Sequence, residues 1–138
     1  MPLYSRVITT PASSSLETII RLKGDYITKL NVRFPPGPQG LLKVAFFYGN
    51  RQLWPEEADT YIQGDDEPIE WEEHYRVPER PMPLRVLTVN EDDTYEHSVY
   101  IRIATAYKTQ LLAEQIVNAI AKRFGNFIKL LGRIIVGR

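Results

Sequence analysis

A period of two runs through the first three-quarters of the chain. Leu16, Thr18, Ile20 and Leu22 alternate with Glu17, Arg21 and Lys23, which is the pattern of a strand with one face buried. Gly24-Asp25 supplies a turn, after which Leu30, Val32 and Phe34 alternate with Lys29, Asn31 and Arg33. Pro35-Pro36-Gly37-Pro38-Gln39-Gly40 ends that strand, because proline cannot donate to a ladder and glycine accepts unusual dihedrals. Leu41 to Tyr48 is apolar on both faces and predicts a central strand covered on both sides. Gly49-Asn50 turns it into Arg51–Trp54, and Pro55 to Asp66 reads as a long acidic loop. Ile69, Trp71 and Tyr75 then alternate with Glu70, Glu72 and His74. Two further strands, Leu84 to Val89 and Ser98 to Thr105, flank the turn Asn90-Glu91-Asp92-Asp93-Thr94. With a strand near Tyr4–Ile8 the expected count is seven or eight. Short strands separated by turn signals, with no helical period before residue 107, predict an antiparallel β-sandwich or jelly roll.

The period changes after Tyr107. Val117, Ile120, Phe124, Phe127, Leu131 and Ile134 are spaced by three and four in alternation, a heptad seam. Ile116, Ile128, Leu130 and Ile135 widen the apolar face, while Asn118, Lys122, Asn126, Lys129 and Arg133 occupy the opposite one. Gly125 and Gly132 lie within the same helix, each at a cost of about 1 kcal/mol relative to Ala. The expected division is a β-sandwich domain over residues 1–107 and an amphipathic basic helix over 108–138.

Charge sharpens that division. Residues 1–107 hold 11 Lys and Arg against 16 Asp and Glu, a net −5, whereas residues 108–138 hold 6 against Glu114 alone, a net +5. Such a split predicts that the tail meets a different surface from the body: the acidic body of its own or a neighbouring subunit, or an outside anionic partner. The chain contains no cysteine, which excludes disulfides, thiolate zinc sites and a cysteine nucleophile. No stretch reaches the ~20 apolar residues of a membrane span, and the N-terminus shows no secretory signal.

Candidate chemistry is sparse. Asp65-Asp66-Glu67 and Glu91-Asp92-Asp93 carry oxygens suited to Ca²⁺, but neither has the spacing of an EF-hand, and Asp residues in turns commonly cap their own backbone. Asp65, Asp66, Asp92 and Asp93 are thus the metal candidates, set against that capping role. Glu70 and Glu72 share a strand face opposite Trp71, a solvated face rather than a glycosidase pair. His74 and His97 are the only histidines, too few for a His₃ zinc site. Ser13-Ser14-Ser15 lacks the Gly-x-Ser-x-Gly context of a nucleophile elbow. The expectation is a protein without catalytic residues or cofactor. Aromatic residues permit a carbohydrate-binding module, with Trp54 and Tyr61 on the acidic loop as its platform; the competing role for such rings is core packing. Nucleic acid is not an expected partner, because no strand face interleaves basic and aromatic residues.

The turn motifs Phe34-Pro35-Pro36-Gly37-Pro38, Gln52-Leu53-Trp54-Pro55, Gly64-Asp65-Asp66 and Asn90-Glu91-Asp92-Asp93-Thr94-Tyr95 resemble those of small β-sandwich structural proteins from viruses of thermophilic bacteria or archaea. The resemblance spans roughly residues 4–105 and leaves out the tail. It implies a virion accessory or capsid-associated subunit, located in a virion or a cytoplasmic assembly. Self-assembly through the tail, with other structural subunits as further partners, is therefore one expected role. A helix lying on an anionic membrane, or packed on its own sandwich, also fits the tail.

Overall fold

In a computed structural model, residues 2–136 are described, with side chains through Arg133. Two compact units are present, Met1–Ala106 and Tyr107–Arg138. The first contains β1 (Leu3–Thr10), β2 (Ser14–Leu22), β3 (Tyr26–Phe34), β4 (Leu42–Tyr48), β5 (Arg51–Trp54), β6 (Ile62–Gln63), β7 (Glu67–Arg76), β8 (Met82–Asn90) and β9 (His97–Ala106). The second is one helix, α1 (Lys108–Val136).

The strands form two antiparallel sheets, ordered β1-β9-β3-β7 and β2-β8-β4-β5, with β6 added beside β4. Early strands pair with late ones: β1 with β9, β2 with β8, β3 with β7 and β4 with β5. A chain doubled into one long hairpin and rolled over itself gives this order, which is the jelly roll. The expected class is therefore present, with nine strands among the described residues in place of seven or eight. The additional strand is β6, which joins Gln63 to Lys43 and Ile62 to Val44 inside the apparent acidic loop. Two residues are too few to show an alternation.

The alternating positions fill one core between the sheets. Ile20, Leu22, Leu30, Val32, Phe34, Leu42, Val44, Phe46, Leu84, Val86, Ile101 and Ile103 are all buried there. A shift of register between Ile27 and Lys29 in β3 keeps both Ile27 and Leu30 inward although they are three residues apart. On β4, Ala45 is also buried, as the run apolar on both faces predicts. Gly24 has φ +124°, and a Cβ there would meet Thr105 Oγ1 at 2.8 Å, so the turn before β3 requires glycine.

The buried polar groups are satisfied. Thr10 Oγ1 and Thr88 Oγ1 are 2.8 Å apart across the two sheets. Asn90 Nδ2 donates to Thr10 O at 3.1 Å and to Tyr95 O at 2.9 Å, while Asn90 Oδ1 accepts from the Asp92 amide at 3.0 Å. No buried side-chain nitrogen or oxygen among the described residues lacks a partner.

Candidate functional site

Tyr107 caps the start of α1: its carbonyl accepts from the Gln110 and Leu111 amides at 3.0 and 3.2 Å. Gln110 Oε1 returns the interaction by accepting from the Tyr107 amide at 3.2 Å, a reciprocal arrangement of capping-box type. From there the helix is continuous to Val136.

With Val117 set at heptad position a, Phe124 and Leu131 repeat a, while Ile120, Phe127 and Ile134 fall at d. Ile128 and Ile135 take e, and Ile116 and Leu130 take g. Lys122, Lys129 and Arg133 lie at the outer f and c positions, and Gly125 and Gly132 both fall at b. Val117, Ile120, Phe124 and Phe127 are each more than half exposed, and Ile116, Ile128 and Leu130 beside them are equally open. Leu131 is exposed to a smaller extent, 38%. The Ile134 side chain lies outside the described residues. Exposed apolar side chains thus span positions a, d, e and g through several turns, broader than the seam of a two-stranded coil. No described helix is long and apolar enough to cross a membrane.

The two aromatic candidates sit differently from the expected loop platform. Trp54 is the last residue of β5, and it is half-buried against the core. Its ring meets Trp71, Tyr75 and Phe46 edge-on at 6.5, 5.5 and 6.0 Å between centroids. Trp54, Pro55, Ile62, Ile69 and Trp71 line a shallow apolar cleft of about 210 Å³, smaller than the ~300–1,000 Å³ usual for ligand sites. Among the described residues that cleft's lining is apolar or aromatic, while Trp54 also borders a second cleft lined by Arg51, Gln52, Leu53, Glu56 and Tyr75. Tyr61 takes no part in it; its ring lies under the Lys43 ammonium at 5.6 Å, and Lys43 in turn pairs with Glu91 at 2.7 Å. The sequence hid this because a tryptophan before a proline looks the same whether its ring turns outward or inward.

The acidic turns are engaged by backbone amides, those of another turn at Asp65 and of its own turn at Asp92. Asp65 Oδ1 accepts from the Gly37 and Gln39 amides at 2.9 and 3.0 Å, tying the β5–β7 connection to the proline-rich turn. The Gln39 amide first, then that of Gly37, holds this carboxyl below the usual Asp range. Asp92 Oδ1 accepts from the Thr94 and Tyr95 amides at 2.9 and 3.2 Å, and its Oδ2 lies 2.7 Å from His97 Nε2. The Thr94 amide, followed by His97, lowers Asp92 likewise. Asp93 Oδ1 accepts from Thr94 Oγ1 at 2.9 Å, and Asp66 sits in the left-handed region with φ 47°. Among the described residues no three His, Cys, Asp or Glu side chains are grouped to hold a metal ion. Glu70 points outward and pairs with Lys29 at 2.7 Å.

Comparison with known proteins gives distant structural similarities alone. No family profile matches the chain. No curated protein is similar to it. Among solved structures it is similar to the Yersinia pseudotuberculosis-derived mitogen, at TM-score 0.47 and 11% identity over 78% of this chain and 87% of that one. It is similar to PirA at TM-score 0.43 and 13% identity, covering 73% and 94%. A Bacillus endospore appendage protein, from a family of disulfide-linked pili, aligns at TM-score 0.35 and 13% identity, covering 76% and 88%.

Proposed function

We propose that the chain is a non-enzymatic structural subunit that self-assembles through α1, with the jelly roll as the body of each copy. The observation that carries this reading is the broad apolar face of α1, exposed at Val117, Ile120, Phe124 and Phe127. A helix in water draws its stability chiefly from burial of such a face rather than from propensity. Position a, d, e and g contacts together suit a bundle of three or more helices, with Lys122, Lys129 and Arg133 left on its outside. Each buried seam side chain contributes ~1.5–3 kcal/mol, so several per chain offset an association cost of ~4–15 kcal/mol. The turn motifs that resemble those of viral β-sandwich proteins favour a virion accessory or similar surface assembly as the setting.

The test is the double variant Phe124→Asp, Phe127→Asp, which places charges where the seam cannot desolvate them. Light scattering of dilute protein is expected to show multimers for the unmodified chain and monomers for the variant, both with a cooperatively melting sandwich. An unmodified chain that stays monomeric and sediments with anionic vesicles in a salt-sensitive way would instead support a membrane-surface helix. A monomer that ignores vesicles as well refutes assembly through α1.

A further inference from the structure

We infer that the free edge of β1 is a second self-interface, at which β1 of one copy pairs antiparallel with β1 of another about a two-fold axis at Ser5. This interface lies on the sandwich and stands independently of α1; only its role in building an extended assembly rests on the reading above.

The sandwich exposes its edges unequally. β7 closes one edge of its sheet with Pro68, four glutamates (Glu67, Glu70, Glu72 and Glu73) and a register shift opposite Ile27 and Lys29, devices that discourage pairing by another strand. β5 is only four residues long and runs into Pro55. β2 carries Glu17 and Arg21, with Glu17 already bonded to Arg85 at 2.7 Å. β1 differs. It runs eight residues, Leu-Tyr-Ser-Arg-Val-Ile-Thr-Thr, with Arg6 as its one charge and no proline. Leu3 and Val7 are 66% and 59% exposed, the most open apolar side chains of the sandwich apart from Tyr95.

The ladder fixes which backbone groups are free. Leu3 lies opposite Ala104, so Pro2 lies opposite Thr105, and the Thr105 amide donates to Pro2 O at 3.0 Å. Antiparallel pairs alternate between bonded and non-bonded, so Tyr4, Arg6 and Ile8 bond β9, while Leu3, Ser5, Val7 and Thr9 direct their N–H and C=O away from it. Arg6 Nη1 donates to Ser5 O at 2.9 Å, as that outward direction requires.

Self-complementarity selects a second copy of this chain as the occupant. A two-fold axis at Ser5 sets Leu3 against Val7 on both sides of Ser5–Ser5, covering both exposed apolar side chains in bonded pairs. It also sets Arg6 opposite Tyr4, a cation against an aromatic ring. An axis at Arg6 would oppose like charges, which is destabilising. An axis at Val7 leaves Leu3 uncovered by any β1 residue. One strand edge buries less than the ~1,200 Å² of a stable interface, so the pairing is weak alone and acts when another contact raises the local concentration.

The chain has no cysteine, which allows direct trapping in the full-length protein. Under mild oxidation Ser5→Cys is expected to form a disulfide-linked dimer, because Ser5 faces itself, whereas Val7→Cys, which faces Leu3, stays unlinked. Mixing Leu3→Cys with Val7→Cys protein is expected to give the heterologous dimer. The same selectivity is expected at high concentration in the Phe124→Asp, Phe127→Asp background, so loss of the α1 contact and loss of the edge contact are read separately. Amide exchange on the unmodified chain gives a measurement without substitution: protection at Leu3, Ser5 and Val7 is expected to rise with concentration. Equal linking of Ser5→Cys and Val7→Cys, no linking of Ser5→Cys, or concentration-independent exchange overturns the pairing.

Discussion

Gly125→Ala together with Gly132→Ala isolates the helix from everything else in the molecule. Both glycines occupy heptad position b, on the outward side of the proposed bundle, and a Cβ built at either meets nothing within 4 Å. The substitutions therefore remove a backbone cost without adding a clash. Each Gly→Ala exchange inside a helix is worth ~0.8–1 kcal/mol, so the pair contributes ~2 kcal/mol per chain, roughly thirtyfold in the helix–coil equilibrium. Circular dichroism at 222 nm during thermal melting measures this in two settings. In the Phe124→Asp, Phe127→Asp background the helical signal is expected to grow at all temperatures. In the otherwise unmodified chain the α1 transition is expected to move upward, and light scattering should show the same multimer persisting to lower concentration. A double alanine chain that gains helix in the monomer but dissociates as an assembly would place the glycines at a point of close helix approach. That result refutes the heptad assignment, and with it the seam through Phe124 and Phe127.

Two predictions concern the sandwich. Asn90→Ala removes the side-chain donor to the Thr10 and Tyr95 carbonyls and the acceptor of the Asp92 amide and is expected to cost ~1–3 kcal/mol; urea unfolding followed by tryptophan fluorescence checks it, and a loss well under 1 kcal/mol would contradict it. Asp65 and Asp92 are held below the ordinary Asp value of 3.8 by backbone amides, with His97 assisting at Asp92. A lowered folded value means that the folded state favours the carboxylate. Their contribution is therefore complete above 3.8 and is lost as pH falls from there through the lower folded values. Urea midpoints measured from pH 6 to pH 2 are expected to drop in this acid range, and less steeply in Asp65→Asn, Asp92→Asn protein, where the amide oxygens still accept but no longer titrate.

The strands were legible because burial writes itself into alternation. Ile20 and Leu22 on β2, or Leu30, Val32 and Phe34 on β3, could not exchange faces without exposing the core. The helix was legible for the same reason at a different period. What sequence could not reveal is what depends on rotation or on distant pairing. Trp54 enters an aromatic cluster with Trp71 and Tyr75, residues 17 and 21 positions later, through contacts that no local pattern encodes. Asp92 was visible as an acidic turn residue, but its use of Oδ1 for two amides and Oδ2 for His97 depends on the exact path of the turn before β9. The β1 edge was invisible for a simpler reason. A strand is an edge only by virtue of the sheet order, and that order follows from which late strand returns to which early one.

The completeness of the sandwich bears on why α1 is built as it is. The jelly roll's inward positions are filled, and its buried side-chain polar groups are paired among the described residues. Val117, Ile120, Phe124 and Phe127 stand in phase on one face of α1, where exposed apolar area carries a standing aggregation risk. Two b-position glycines weaken that helix further as an isolated segment. A helix that is marginal alone and heavily apolar on one side gains most of its order when its face is covered, so ordering and association become one coupled event. In the proposed assembly this coupling makes the bundle cooperative in copy number, because its seam forms only where several copies meet.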